Sequence, residues 1–341
     1  MENQHLTYFK VENFKKFDSL EVKDIGQFNL IVGDNNVGKT CLLEALLIDS
    51  DDSSLLNSWI NILKKRNLIK SESLNELLNS NYRSNEVIAN KFTNLFKKNF
   101  LKFNKESISF YFNEDLKSGI KIKDKEDYWT TFYSKSFYKI IQNYVLSKEK
   151  VFNFPFIAFN SIFENDIFDL YNNLKSKKDK ENLIKTIQVI NNKIIDIELR
   201  QNFEDLENVF LLSFKDKDEF VPVNYLGDGF KRIFYIILKV LSLKGERIMI
   251  DEIETGIHHS RQKDFWSNIL KICNELNVQL FATTHSEECI KVFYEASKEL
   301  NEQKDIRLIS LQEGEQEKIY STTYTFENIE AGLYSDIELR A

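Results

Sequence analysis

The chain begins with short apolar segments of strand length and then changes to a helical pattern. Alternating or continuous apolar residues predict strands at 6–11, 20–22 and 28–32. Apolar positions three and four residues apart predict a helix over 41–48. A buried strand therefore leads through a glycine-containing turn at 33–40 into a helix.

The last third of the chain alternates regularly between strands and helices. Apolar runs predict strands at 247–250, 278–282 and 306–311, separated by helices over 230–243, over 260–276 and from Ser286 onward. This alternation predicts a mostly parallel sheet whose ligands bind at the carboxyl ends of the strands.

The middle of the chain is mostly polar with helical spacing. We predict helices within 51–106 and 166–193, strands at about 108–133 and 152–159, and a hairpin over 205–224. The predicted organisation is a head formed by 1–50 and 194–341. It carries a mainly helical insertion over 51–193, whose strands pack on the head. A phenylalanine stripe at 92–103 interleaved with lysines is typical of a basic nucleic-acid-binding helix or of an amphipathic helix with a buried aromatic face.

Composition narrows the classes of protein. With 42% hydrophobic residues and 28 phenylalanines among 341 residues, the chain can bury a large core, which excludes general disorder. Three separated cysteines do not predict a disulfide framework, which favours a reducing, cytoplasmic location. The sequence lacks a membrane-length apolar run, and its first residues do not resemble a signal peptide, so we expect no membrane association.

The charge balance bears on nucleic acid as a partner. The chain has 46 Lys and Arg against 53 Asp and Glu, a formal charge of −7. A dedicated duplex binder usually carries a basic surplus. Nucleic acid therefore remains a possible partner that net charge does not support.

The turn at 33–40 matches the phosphate-binding pattern G-x-x-x-x-G-K-[ST] in its expected strand–helix context. Its glycines let successive N–H groups face a phosphate, while Lys39 reaches the β and γ phosphates and the Thr40 hydroxyl ligates Mg²⁺. ATP and Mg²⁺ are the predicted cofactors. The predicted nucleotide-binding residues here are Gly33, Asp34, Asn35, Asn36, Val37, Gly38, Lys39, Thr40 and the adjoining Cys41.

Two further polar clusters end neighbouring predicted strands. Asp251 and Glu252 follow the apolar strand at 247–250. One acid there can hold Mg²⁺ and the other can activate water, or both can cap the next helix. His285 follows the strand at 278–282. It can contact the γ-phosphate or the water, or cap the helix that follows.

These motifs together resemble the ABC-type ATPase heads of the RecF, SMC and OLD group, and most closely the small prokaryotic ATPases found in anti-phage operons. The resemblance implies an α/β fold, an ABC-type P-loop ATPase head with a mixed sheet flanked by helices. The segments that carry it are 11–17, 33–40, 156–161, 225–232, 251–252 and 284–285.

The resemblance also implies roles for individual residues. Lys39, Glu252 and His285 take catalytic positions, with Glu252 as the catalytic carboxylate and His285 as the switch histidine, while Thr40 and Asp251 hold the metal. A signature loop completes the nucleotide site of a second subunit, and the residues at its position are Gly227, Asp228, Gly229 and Lys231. The usual serine of that loop is replaced, and Asp228 repels a triphosphate unless Lys231 or Arg232 neutralises it.

The implied function is an ATP-hydrolysing protein that forms a homodimer or higher homo-oligomer through ATP sandwiched between heads. In an anti-phage system it acts as the sensor or regulatory subunit for a separate effector nuclease, like the ATPase subunits of PARIS, Septu and retron-associated systems. Two alternatives stay open at this point. One is a RecF-like DNA-repair clamp, and the other is a scaffold that binds nucleotide without hydrolysing it.

Overall fold

The computed structural model describes most of the chain outside the middle segment. The described residues are 5–47, 61–63, 98–100, 102, 107–113, 116–121, 154–161, 166–203, 206–300 and 303–335. Within these ranges, none of the helices has the length and apolarity needed to span a bilayer.

Strands and helices alternate along the described chain. The strands are β1 (Phe9–Phe14), β2 (Phe17–Val22), β3 (Phe28–Gly33), β4 (Ser107–Phe112), β5 (Leu116–Lys121), β6 (Phe156–Ile157), β7 (Ile194–Phe203), β8 (Leu206–Phe214), β9 (Val221–Pro222), β10 (Arg247–Ile250), β11 (Gln279–Thr283), β12 (Ile306–Glu313) and β13 (Ile319–Thr325). The helices are α1 (Lys39–Leu46), α2 (Ile167–Asn172), α3 (Lys177–Ile190), α4 (Asp228–Ser242), α5 (His259–Leu276), α6 (Glu287–Ser297) and α7 (Phe326–Tyr334).

A six-stranded mixed sheet forms the centre of the fold, in the order β13-β12-β3-β11-β10-β6. All neighbours are parallel except β13, which pairs antiparallel with β12. Every residue of β3 is buried, as expected for a parallel strand covered on both faces. Leu30 packs in the core formed with α4, α5 and α6, whereas Ile31 packs in the core formed with α1, β1 and β2.

Two smaller antiparallel sheets flank this centre. One has the order β2-β1-β4-β5 and the other the order β7-β8-β9. Strand β4 pairs with β1, and β6 pairs with β10, so two strands from the middle of the chain join sheets built from its ends. The boundaries at 50 and 193 that separate head from insertion stay a prediction.

The structure differs from the sequence-based expectations in three places. The first strand is Phe9–Phe14 rather than 6–11, because its pairing with β2 continues to Phe14, which lies opposite Phe17. The hairpin predicted over 205–224 forms only in part, because β8 pairs antiparallel with the short β9 at Leu211 and Leu212. The longer antiparallel pairing of β8 is with β7, which precedes it. The segment 166–193 forms two helices because Ser176 caps α3 in a capping box with Asp179.

Several expectations fall on residues outside the described ranges. They are most of the helical region predicted within 51–106, the strand prediction beyond residue 121, and most of the phenylalanine stripe. They stay predictions.

A buried ion pair anchors α4 beneath the sheet. The Lys239 Nζ, only 1% exposed, lies 2.5 Å from the Asp166 Oδ2. The Tyr235 hydroxyl donates to the other Asp166 oxygen at 3.0 Å. A buried lysine is costly unless a carboxylate accompanies it, so Asp166 fixes the start of α2 against the middle of α4.

We expect Asp166→Ala to lower the free energy of unfolding by about 3 kcal/mol, because the buried Lys239 loses its 2.5 Å contact with the Asp166 carboxylate. Urea denaturation of the purified variant measures this. Asp216→Ala is the matched control, since Asp216 pairs with Lys193 at the surface, where both side chains are about half exposed. Equal losses in the two variants would contradict the importance of the buried pair.

Candidate functional site

The turn between β3 and α1 has the backbone of a phosphate-binding loop. Gly33, Asn36 and Gly38 have positive φ angles of 136°, 66° and 115°. A Cβ on Gly33 would lie 2.3 Å from the Leu311 carbonyl oxygen, and one on Gly38 would lie 2.9 Å from the Phe17 ring. Only glycine fits at the two ends of the turn, as a loop that curls its amides inward requires.

Lys39 lies across the inside of this loop. Its Nζ donates to the carbonyl oxygens of Gly33 at 2.6 Å and Asp34 at 2.8 Å, and the residue is 5% exposed. Between its glycines the turn opens to solvent at positions 34–36, whereas Val37 is buried. Cys41, in the first turn of α1, packs partly against the core, and its predicted contact with nucleotide rests only on its position next to Thr40.

A second lysine at the loop was not among the predicted site residues. Lys16, in the turn between β1 and β2, donates through Nζ to the carbonyl oxygen of Asn36. Its neighbour Lys15 pairs with the buried Glu44 of α1, which fixes this turn against the helix. The sequence signal was two lysines in a tight turn between strands, but nothing in it placed that turn beside 33–40.

The predicted metal ligands meet at the carboxyl edge of the central sheet. The Thr40 hydroxyl lies 3.2 Å and 3.1 Å from the two carboxylate oxygens of Asp251, which is 4% exposed. The Thr283 hydroxyl, at the end of the adjacent strand β11, donates to Asp251 Oδ1 at 2.7 Å. Hydroxyl and carboxylate oxygens are the donors that Mg²⁺ takes, so this cluster fits the ion. Thr283 was not predicted.

Glu252 has an unusual backbone that aims its side chain away from the buried edge. Its φ angle is +47°, in the left-handed region that non-glycine residues seldom adopt. The amide of Glu252 donates to the Thr283 hydroxyl at 2.8 Å. Its Oε1 lies 3.5 Å from the His285 Nε2, and both side chains are about one-third exposed. The structure therefore brings the predicted base and the predicted switch histidine together, with both side chains partly exposed.

Arg232 lies inside the protein, which corrects the expectation that it could neutralise Asp228. It is 2% exposed, and one nitrogen donates to the carbonyls of Asp251 at 2.7 Å and Glu252 at 3.1 Å. The other nitrogen donates to the carbonyls of Ala158, Phe159 and Ser161 at 2.8–3.0 Å. Burial lowers the pKa of the guanidinium, while Asp251, Glu252 and Glu254 raise it. Arg232 thus ties α4 to the segments after β10 and β6.

The predicted signature loop forms the first turn of α4. Gly227 is the N-cap of the helix, and a Cβ there would meet nothing within 4 Å. The Lys231 Nζ pairs with the exposed Asp228 at 3.2 Å, so Lys231, and not the buried Arg232, supplies the neutralisation that Asp228 requires. A Cβ on Gly229 would lie 2.0 Å from the carbonyl oxygen of Gly256, so this glycine is needed for close packing within the chain.

A family comparison agrees with this geometry. The model of the family described as "AAA domain, putative AbiEii toxin, Type IV TA system" matches residues 28–290. The chain belongs to this family. The match runs from the start of β3 into α6 and so includes every residue of the candidate site except Lys16.

Individual relatives and solved structures extend the comparison. A Helicobacter pylori protein named "ATP/GTP phosphatase" is 25% identical over 359 aligned positions, covering 94% of this chain and 96% of the relative. An uncharacterized Methanocaldococcus jannaschii protein is 38% identical over 106 residues, covering 30% of this chain and 89% of the relative.

Two SMC head structures are similar in fold and cover nearly the full length of the chain. A head bound to the C-winged helix domain of ScpA has a TM-score of 0.55 at 11% identity, covering 96% of this chain and 99% of that one. A head with an extended coiled coil, bound to the C-terminal domain of ScpA from Pyrococcus furiosus, has a TM-score of 0.51 at 8% identity, covering 98% and 100%. The predicted α/β fold of an ABC-type P-loop ATPase is confirmed.

The two glycines at the start of α4 should respond differently to a methyl group. Gly229→Ala should lower the free energy of unfolding by about 1–3 kcal/mol, because the new Cβ overlaps the Gly256 backbone. Gly227→Ala should change it by no more than about 0.5 kcal/mol, because the site is open and its φ of −63° suits alanine. Chemical denaturation of both variants tests this. A larger loss of unfolding free energy for Gly227→Ala than for Gly229→Ala would contradict the packing described.

Proposed function

We propose that this protein is a Mg²⁺-dependent ATP hydrolase. The observation that carries the proposal is the meeting of Thr40, Asp251 and Thr283 beside the lysine-lined turn 33–40. A phosphate-binding loop joined to a buried carboxylate at the end of a parallel strand is the arrangement that nucleotide hydrolysis requires. The ATP/GTP phosphatase name of the Helicobacter pylori relative supports the same activity.

Each residue of the site has a proposed task in this reaction. The amides of the turn 33–40 and the Lys39 ammonium bind the β and γ phosphates, with Lys16 adding a second positive charge at the loop. Thr40 and Asp251 would hold Mg²⁺, which supplies charge neutralisation of the phosphates when bound. Glu252 accepts the proton of the attacking water. His285, beside Glu252, orients that water or contacts the γ-phosphate.

We expect Glu252→Gln to bind ATP with near-normal affinity but to hydrolyse it about 10²–10⁴-fold more slowly, because the amide cannot accept the proton. Lys39→Ala should lose both binding and turnover, since it removes the charge inside the loop. Steady-state phosphate release and binding of a fluorescent ATP analogue measure the two effects separately. If Glu252→Gln hydrolyses ATP as fast as the wild type, Glu252 has no catalytic role. If Lys39→Ala leaves phosphate release unchanged, this site is not the source of the hydrolysis.

We also propose that ATP joins two copies of the chain head to head. The first turn of α4 supports this, because Gly227 faces open space and the adjoining Tyr225 is 81% exposed. A helix N-terminus favours negative charge, and Lys231 neutralises Asp228 there. A γ-phosphate bound by one copy would therefore find a favourable partner surface on the other.

Light scattering tests this association. With Mg²⁺ and ATP, Glu252→Gln should change from monomer to dimer, because bound ATP is not consumed. Adding Gly227→Glu should abolish the dimer while ATP binding is retained, since a carboxylate there repels the triphosphate. Ile195→Glu is the matched control, because Ile195 is 49% exposed on β7 and takes no part in the proposed contact. A Glu252→Gln protein that stays monomeric at saturating ATP would refute the association.

We propose further that the ATP-bound assembly regulates a separate effector nuclease in anti-phage defence. The support for this role is the resemblance to ATPases of anti-phage operons, carried by segments 225–232, 251–252 and 284–285. A TOPRIM, HNH or reverse-transcriptase reading frame beside this gene would identify the partner. Duplex DNA binding that requires ATP and weakens steeply with salt would instead favour a RecF-like clamp.

A further inference from the structure

Glu254 occupies a position that the proposed catalytic roles do not explain. It lies in the loop after β10, two residues beyond Glu252, and its Oε1 accepts hydrogen bonds from the Thr284 hydroxyl at 2.6 Å and the His285 amide at 3.3 Å. Its Oε2 is buried and lacks a hydrogen-bond partner among the described residues. A partly satisfied buried carboxylate is unfavourable for the fold, so a role in the site is the stronger explanation.

The contacts of Glu254 continue into the turn that carries His285. The Thr284 hydroxyl, which donates to Glu254, accepts the amide of Ser286 at 3.0 Å. The Ser286 hydroxyl in turn caps α6 by accepting the amide of Cys289 at 3.2 Å. The Glu254 carboxylate therefore fixes the backbone on both sides of His285 and the start of α6.

Glu252 is held by a separate set of contacts. Its amide binds the Thr283 hydroxyl at 2.8 Å, and its carbonyl accepts from Arg232 at 3.1 Å. The 3.5 Å approach of the His285 ring to the Glu252 carboxylate thus depends on the contacts that join the loop after β10 to the segment 283–285. Glu254 belongs to the loop that carries Glu252 and bonds directly to the backbone that carries His285.

We propose that Glu254 is a positioning residue that holds His285 against Glu252. The proposal rests on the proposed ATP hydrolysis for its kinetic consequence, but the contact it describes exists without nucleotide. Glu254 does not touch the reacting atoms. It acts through the Thr284 hydroxyl and the His285 amide, and its required property is a hydrogen-bond acceptor at the Oε1 position.

The kinetic test compares three substitutions. Glu254→Leu should lower kcat about 10- to 100-fold with little change in KM, because His285 is misplaced while the phosphate loop is intact. Glu254→Gln should restore most of the activity, because its amide oxygen accepts the same two hydrogen bonds. Glu288→Leu, at an exposed position in the first turn of α6, is the matched control and should keep wild-type kinetics.

A double-mutant cycle separates positioning from a general loss of structure. In a His285→Ala background, Glu254→Leu should cause no further loss of kcat, because its effect passes through His285. Thr284→Val provides an independent variant in case Glu254→Leu fails to fold, since it removes the 2.6 Å contact at nearly constant volume. Thr284→Val should also lower kcat. The proposal would be overturned if the two kcat losses multiplied in the double variant. It would also be overturned if Glu254→Leu raised KM and left kcat constant.

A spectroscopic readout makes the test independent of hydrolysis. The chain has four histidines, so the imidazole ¹⁵N resonances can be assigned by substitution. Without nucleotide, Glu254→Leu should shift the His285 signals, whereas Glu254→Gln should leave them near their wild-type positions. Unchanged His285 signals in Glu254→Leu would overturn the proposal even if the enzyme hydrolyses ATP. If the wild type does not hydrolyse ATP but Glu254→Leu still shifts the His285 signals, only the proposed function is refuted.

Discussion

The site depends on one carboxylate shared between two hydroxyls from different elements. Asp251, at the end of β10, binds Thr40 at the start of α1 and Thr283 at the end of β11. These elements come together because β3, β11 and β10 are adjacent and parallel, which places their carboxyl ends at one edge. A single shift in strand register would separate the phosphate loop from its acid. Fold and chemistry are thus coupled through strand pairing.

Arg232 extends this coupling beyond the central sheet. Its guanidinium donates to backbone carbonyls after both β10 and β6, and it lies on α4, the helix whose first turn faces the proposed partner. The close approach of Gly229 to Gly256 adds a second link between α4 and the loop after β10. The start of α4, where the partner copy is proposed to bind, is therefore joined by direct contacts to the backbone of Glu252.

The sequence predicts local patterns well and long-range contacts poorly. The turn 33–40 and the acids after β10 could be recognised because their spacing is short and chemically constrained. The inward direction of Arg232 could not, because α4 is buried on several sides and its periodicity does not distinguish a core face from a partner face. The bond between Glu254 and Thr284 joins residues 30 positions apart, so it depends on the pairing of β10 with β11 and has no signature in sequence spacing.

The backbone of Glu252 shows why these long-range contacts are needed. A non-glycine residue at a φ of +47° carries a cost of about 1–3 kcal/mol and persists only where its surroundings enforce it. The Thr283 hydroxyl supplies that constraint at the amide of Glu252, and the Arg232 guanidinium supplies it at the carbonyl. Glycine at 252 would relieve the strain but remove the carboxylate. An acid in this strained conformation is therefore best explained by the catalytic task proposed for its carboxylate, which lies next to the His285 ring.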